Sequence, residues 1–438
     1  MSSRSSVESP GLHRGLGRFD VVALCVNSIV GAGVFALPGT LALDAGRYSL
    51  AVIFVAFVVV GFLALSLAEV SSRYDVTGGP QVYAQRVFGP LTGFTVGWLF
   101  SVSRIASYAL IGQVMLDYAA AVWPALAPPL PRAAAITVFT IVLAAINVRG
   151  VTRGAWTGNL LTIAKMLPLG LIAIAGLWYA GWNDIPASEP REPDGMLNAL
   201  NLALFACVGF DVAAIVSGEM RDPRRDLPVS ILGGLAISCL LYLLLMLACY
   251  GILPDTAASR LPLTDVAEHF IGPAGATLMA LAAVVSTAGG LAVQMLVSPR
   301  NIFALAEAGD LPRPVAAVHR AFRTPHVSII VYAVLSWILA ITGAFKYLLA
   351  IFVIARLLVY GSTAAALMVL RRREGPAPVP VPGGLAVAVV ALAACVAVVA
   401  TQSWQAVRDV VIVVAVGLAV RALVRRRESR SKVRTSPP

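Results

Sequence analysis

The feature that most constrains this chain is a train of apolar runs, each about 20 residues long, that follow one another from residue 19 to residue 424. One of them, residues 49–72, reads SLAVIFVAFVVVGFLALSLAEVSS and carries a single charge. Such a run is long enough to cross a bilayer as a helix, and a helix satisfies its own backbone hydrogen bonds where no water can. The whole chain follows suit: its 438 residues are 59% hydrophobic and 13% charged, against about half and about a quarter in a soluble domain. That balance excludes a water-soluble enzyme and, despite a formal net charge of +11, a module that binds nucleic acid. An all-α polytopic membrane protein is expected. The length leaves no room for a sizeable soluble domain.

Hydropathy and loop punctuation place twelve spans, at 19–41, 49–72, 91–122, 133–149, 156–181, 195–217, 229–251, 270–297, 326–343, 347–370, 383–401 and 406–424. Of the 33 basic residues, 24 fall at or beyond the span ends on the side of the N-terminus, 6 likewise on the other side and 3, Arg104, Lys165 and Arg356, deep within spans. By the positive-inside rule both termini are therefore expected in the cytoplasm. Residues 1–18 form a cytoplasmic segment, too long and polar for a signal peptide and followed by no small-residue cleavage site. Residues 425–438 form a basic tail. Its arginines read as a topology anchor against anionic lipid headgroups, with a regulatory arm as the other reading. The five cysteines, Cys25, Cys207, Cys239, Cys249 and Cys395, all lie in apolar stretches and read as small buried hydrophobes. The histidines, His13, His269, His319 and His326, fall in the N-terminal segment or in loops. Neither a metal cluster nor any cofactor is expected.

Two spans are interrupted. In span 1 the run Asn27, Ser28, Ile29, Val30, Gly31, Ala32, Gly33, Val34, Phe35 precedes Pro38, and in span 6 the run is Ala206, Cys207, Val208, Gly209, Phe210, Asp211. They hold the same place in two successive groups of five spans. Glycine lets the backbone leave the helical ladder, and non-helical backbone at membrane depth is tolerated only inside protein or along a cavity. Half-helices made this way aim unpaired N–H groups at a bound carboxylate. Interrupted spans at matching places in two halves of a chain point to a transporter's binding site. Close helix packing is the other use of small residues, and for Gly31 and Gly33 taken alone both readings stand.

At this point the sequence resembles the amino acid, polyamine and organocation (APC) transporter superfamily over almost its whole length. SIVGAGVFALPG resembles that family's span 1 signature, and FACVGFDVAAIVSGEMRDPRRDLPVSI its span 6 and following loop. SSRYDVTGGPQVYAQRVFG, SPRNIFALAEAGDLPRPVAAVH and LLVYGSTAAALMVLRRR resemble the loop after span 2, the loop after span 8 and the end of span 10. The resemblance implies two inverted five-helix repeats in the leucine-transporter-like arrangement, residues 19–181 and 195–370, with spans 11 and 12 appended at 383–424. It implies alternating access by an amino acid permease in the plasma membrane, a bacterial inner membrane, and no enzyme activity. It places contacts to the substrate's amino and carboxyl groups at Ser28, Ile29, Gly31, Ala32 and Gly33 and at Ala206 and Val208, with Phe205 as an aromatic gate. A ring there can exclude water and lie over an ammonium group.

Charged residues inside spans carry the remaining signal, because each is costly at mid-membrane and faces the bundle interior. Lys165 lies roughly 12 Å into span 5. In the family, a lysine here stands in for the sodium ion that related transporters bind between spans 1 and 8. It is expected to donate to a span 1 carbonyl near Ser28 or Ile29 and to Ser286 or Thr287, and so to couple transport to protons or exchange rather than to sodium. Snorkelling toward the interface is its bland reading. Asp211 is either a second protonatable group or a cap for freed N–H groups. Arg104, roughly 20 Å into span 3, either meets an anionic group of the substrate or pairs internally, with Asp211 as the named partner. Arg356 is expected to have a structural partner, and Asp117 to meet water. An apolar pocket with one arginine nearby favours neutral amino acids over cationic ones. A permease for amines, polyamines or nucleobases on the same fold, a membrane-embedded enzyme and a non-transporting sensor are the competing readings. Neither HExxH nor GxSxG occurs, and no soluble domain is present to relay a signal. Oligomeric state is left open.

Overall fold

The computed structural model describes residues 17–74, 79–150, 154–179, 194–215 and 220–435, and the regular elements among them are helices. Span 1 is two helices, α1 (Arg18–Ile29) and α2 (Gly33–Ala45), separated by residues 30–32. After them come α3 (Ser49–Ser71), α4 (Pro80–Phe88), α5 (Pro90–Val122), α6 (Pro129–Arg149) and α7 (Gly154–Tyr179). Span 6 is again two helices, α8 (Gly195–Cys207) and the short α9 (Val212–Ile215), with residues 208–211 in turns. The rest are α10 (Pro223–Ile252), α11 (Pro262–Ile271), α12 (Pro273–Glu307), α13 (His326–Ile341), α14 (Phe345–Glu374), α15 (Gly384–Ala400) and α16 (Trp404–Thr435). A helix lies over each expected span. Among the described residues, seven helical stretches are long and apolar enough to cross a membrane, and α15 with α16, bent by 113°, make an eighth if counted as one.

Two helices were not expected. The segments holding α4 and α11 read as loops because each is short and its apolar face is narrow. Both open on a proline, whose missing N–H costs nothing in a first turn, and both stop at a glycine of positive φ, Gly89 at 92° and Gly272 at 65°. In consequence His269 belongs to α11, and His326 is the first residue of α13 rather than part of a loop.

Helix α5 runs through the middle of the molecule against α12, α13 and α14, while α10 packs on α1, α3 and α7. The half-helices α2 and α8 lie side by side, which brings the two interruptions together. Outer helices turn large apolar side chains away from the protein, among them Val138 and Ile141 of α6 and Val396 of α15. An apolar outer surface over a helical bundle is what lipid tails solvate.

Two buried carboxylates, Glu69 and Asp310, are well paired. Glu69 of α3 is fully buried and accepts two bonds of 2.6 Å from Arg371 of α14, plus the backbone N–H of Val381 at 2.9 Å. Asp310 accepts from Arg421 of α16 at 2.7 Å and from Arg425 at 2.9 Å. These are the short lengths of charge-assisted hydrogen bonds.

Candidate functional site

Helix α1 ends because its ladder runs out: Val30 still donates to Val26 at 2.8 Å, but Gly31 turns its N–H onto the Ile29 carbonyl at 2.7 Å. Among the described residues, the N–H groups of Ala32, Gly33 and Val34 meet no acceptor. They open α2, whose positive dipole end therefore carries three free donors. A carboxylate is the ligand that such an end suits.

The facing interruption is pressed against this one. A Cβ on Gly33 would lie 2.6 Å from both Cα and Cβ of Ala206, so the two chains touch where a side chain has no room. Gly209 has φ +136°, and a Cβ there would lie 2.6 Å from the Ser28 carbonyl oxygen. One side chain ties both breaks: the Tyr242 hydroxyl of α10 reaches the carbonyl of Ile29 at 2.9 Å and that of Ala206 at 3.1 Å. Ala32 and Ala206 are buried, Val208 and Gly31 half-buried, and Ser28 exposed. Phe205 is buried edge-on against Phe352 of α14, with ring centroids 5.0 Å apart.

Lys165 of α7 is buried and its Nζ donates to the carbonyls of Asn27 at 2.7 Å and Val30 at 2.8 Å. The acceptors are thus the residues flanking the expected pair, because the carbonyls left without helical donors straddle the end of α1. The expected bonds to α12 are not formed in this structure. Thr287 turns its hydroxyl back onto Ala283 at 2.6 Å, an i−4 contact that competes with any neighbour, and Ser286 Oγ is buried with no partner.

Asp211 does not cap α9 with its side chain. Its Oδ2 takes Arg104 of α5 at 3.4 Å and Arg356 of α14 at 3.3 Å, leaving Oδ1 without a partner. Arg104 is therefore not the only positive charge near the pocket, since Arg356, eleven residues into α14, reaches the same carboxylate. Asp117, expected to meet water, is 55% exposed and also pairs with Arg132 at 2.8 Å.

Sequence reasoning missed Tyr242 and the convergence of Arg356 with Asp211. The first had a signal, a phenol inside the aliphatic run LLYLLLML, whose hydroxyl must find an acceptor once buried. The second had none beyond the cost of a buried arginine, because which charges meet depends on how α5, α9 and α14 are rotated.

Three comparisons bear on this arrangement. A serine/threonine exchanger of Bacillus subtilis, SteT, is 29% identical over 84% of this chain and 85% of its own length. An uncharacterized transporter of Mycobacterium tuberculosis is 30% identical over 83% of this chain and 82% of its own length. A methylthioribose transporter of Bacillus subtilis is 25% identical over 73% of this chain and 72% of its own. The family described as amino acid permease matches residues 16–420, which take in both interruptions, Lys165 and the Asp211 cluster. This multi-pass membrane protein belongs to the amino acid permease family of the APC superfamily.

Proposed function

We propose that the chain is a secondary active transporter that carries amino acids across the plasma membrane by alternating access, without sodium, and coupled to protons or to exchange. The observation that carries this reading is the trio of unpaired N–H groups at Ala32, Gly33 and Val34 beside the second interruption. An amino acid is the ligand whose carboxylate these donors suit, and an amine or nucleobase permease has no need of them. In this reading Ser28, Ile29, Gly31, Ala32, Gly33, Ala206 and Val208 surround the substrate's amino and carboxyl groups, and Phe205 closes over it. The twelve spans form two inverted repeats of five plus two, with both termini in the cytoplasm.

Lys165 supports sodium independence: its ammonium group already gives a positive charge to the carbonyls of Asn27 and Val30, which a sodium ion would otherwise coordinate. Coupling through Lys165, with Asp211, Ser286 and Thr287 as further groups along the route, belongs to the same proposal. The likeness to a serine/threonine exchanger supports exchange and neutral side chains.

Uptake of labelled serine and alanine into proteoliposomes tests the reading. Saturable uptake is expected, with equal rates in sodium and in choline at constant pH, and with alanine, leucine and serine competing better than arginine or putrescine. A rate that collapses in choline would overturn the role of Lys165. Stronger competition by arginine or putrescine would overturn the substrate class.

A further inference from the structure

The Arg104, Asp211 and Arg356 cluster is short of one negative charge. Two guanidinium groups share a single carboxylate oxygen, and among the described residues no other acidic side chain pairs with either. Arg356 is 3% exposed and Asp211 1%. A lone positive charge in such surroundings is expensive to bury, and one arginine would have been enough to neutralise Asp211.

The geometry is slack beside two other buried ion pairs, Glu69 with Arg371 and Asp310 with Arg421. The two contacts measure 3.3 and 3.4 Å, against 2.6 Å at Glu69 and 2.7 Å at Asp310. Each guanidinium also keeps its Nε buried without a partner. Aromatic faces supply part of the missing counter-charge: Phe100 lies under both groups, 5.0 Å from Arg104 and 4.5 Å from Arg356. That support costs no specificity for any one anion, and it leaves the Nε edges free.

One side of the cluster also borders residues of the proposed pocket. Phe352, which packs against Phe205, lies 5.6 Å from the Arg356 guanidinium. Val208 and Arg356 line one small cavity together with Phe352 and Tyr360. Arg104 keeps 16% of its side chain accessible, against 4% for Arg356.

We propose that Arg104 and Arg356 form an anion subsite for the substrate's side chain, and that the transporter accepts amino acids bearing a side-chain carboxylate as well as neutral ones. The inference rests on the amino acid pocket proposed above. Asp211 opposes such a ligand, and its unpaired Oδ1 limits how tightly the carboxylate is held. Two guanidinium groups against one carboxylate leave the balance attractive, and the same balance repels cationic side chains.

Glutamate and glutamine differ in charge but hardly in size, so their ratio as competitors isolates the subsite. Labelled serine uptake is measured in proteoliposomes of the wild type and of Arg104→Gln, Arg356→Gln and Asp211→Asn. In the wild type, glutamate is expected to compete at least as well as glutamine. Each arginine variant is expected to weaken glutamate relative to glutamine by about tenfold or more, the scale of one hydrogen bond to a charged group. Asp211→Asn is expected to shift the ratio the opposite way, which a merely structural role would not do. For a variant that does not transport, thermal stabilisation of the purified protein by glutamate against glutamine gives the same ratio. Saturable serine uptake that glutamate inhibits more than tenfold less well than glutamine would overturn the subsite while leaving the amino acid transporter intact. Absent serine uptake would instead overturn the transporter reading, and with it this one. A ratio that responds to replacing chloride by gluconate and not to the arginine substitutions would assign the charge to an inorganic anion and overturn it as well.

Discussion

At Gly33 the absence of a side chain is a packing requirement before it is anything else. A single methyl would overlap Ala206 at 2.6 Å, well inside any distance that real Cβ atoms keep. The contact is between backbones, so no rotamer change relieves it, and the two half-helices must separate by an ångström or more to admit a larger group. The free N–H groups of α2 would then move out of register with the carbonyls opposite. Gly33→Val is expected to abolish amino acid binding while the bundle still assembles, because the rest of the core is untouched. Isothermal titration with serine, beside a gel-filtration profile in detergent, separates the two effects. Normal binding by Gly33→Val would show that the carboxylate does not sit at this break.

Two interrupted helices need something to hold their loose ends. Here the ties come from intact neighbours, Lys165 on α7 for the end of α1 and Tyr242 on α10 for both interruptions. Tyr242 is fully buried and its ring meets Phe57 edge-on at 5.6 Å, so the ring belongs to the core whatever the hydroxyl does. Tyr242→Phe keeps that packing and removes only the two hydrogen bonds. The Ile29 carbonyl keeps the Gly31 N–H, while the Ala206 carbonyl loses its donor at a cost of about 1–3 kcal/mol if it stays dry, which favours conformations that let water or a ligand reach it. The expected outcome is a folded protein whose melting temperature falls by a few degrees and whose transport rate falls roughly tenfold, read from uptake kinetics and a melting curve on the same preparation. Unchanged kinetics would mean that the tie is not used during the transport cycle.

How legible these elements were follows from where their causes lie. The breaks at Gly31, Gly33 and Gly209 announced themselves because a glycine pair inside an apolar run is a local anomaly, and the matching ordinal position in each half made it more than one. Lys165 was legible for the same reason, being a charge where hydrocarbon is expected; its acceptors were off by one residue because they depend on where α1 ends. Helices α4 and α11 carried their proline and glycine signals openly, but ten or fewer residues give too little periodicity to outweigh a loop reading. The pair of Arg104 with Asp211 stood among the readings of the sequence, but that Arg356 joins the same carboxylate could not be read. The cluster joins residues 107 and 145 positions from Asp211 along the chain, and a shift of two residues in the register of any one helix would turn its charge by about 200°.

At the scale of the whole molecule the charges outside the spans decide which way it faces. Twenty-four of 33 basic residues lie on the side of the N-terminus, six on the other. Short loops with an excess of arginine resist translocation, so the segments around Arg221, Arg313 and Arg371 are expected to stay in the cytoplasm with both termini. The buried network of Glu69 with Arg371 and Val381 joins α3, α14 and the linker before α15, so these chain ends must share one face of the membrane. That constraint is independent of the charge count and agrees with it. Single cysteines at exposed loop positions read the orientation directly, since four native cysteines are buried and Cys239 is half-buried. A maleimide that cannot cross membranes is expected to label Ala125→Cys and Ser403→Cys in intact cells. Ala308→Cys and Pro378→Cys are expected to react only after permeabilisation, and the unsubstituted protein to remain dark in both conditions. The reverse pattern would invert the protein in the membrane. Labelling of Ser403→Cys and Pro378→Cys from the same side would mean that α15 does not cross, and would remove the final pair of spans from the proposed twelve.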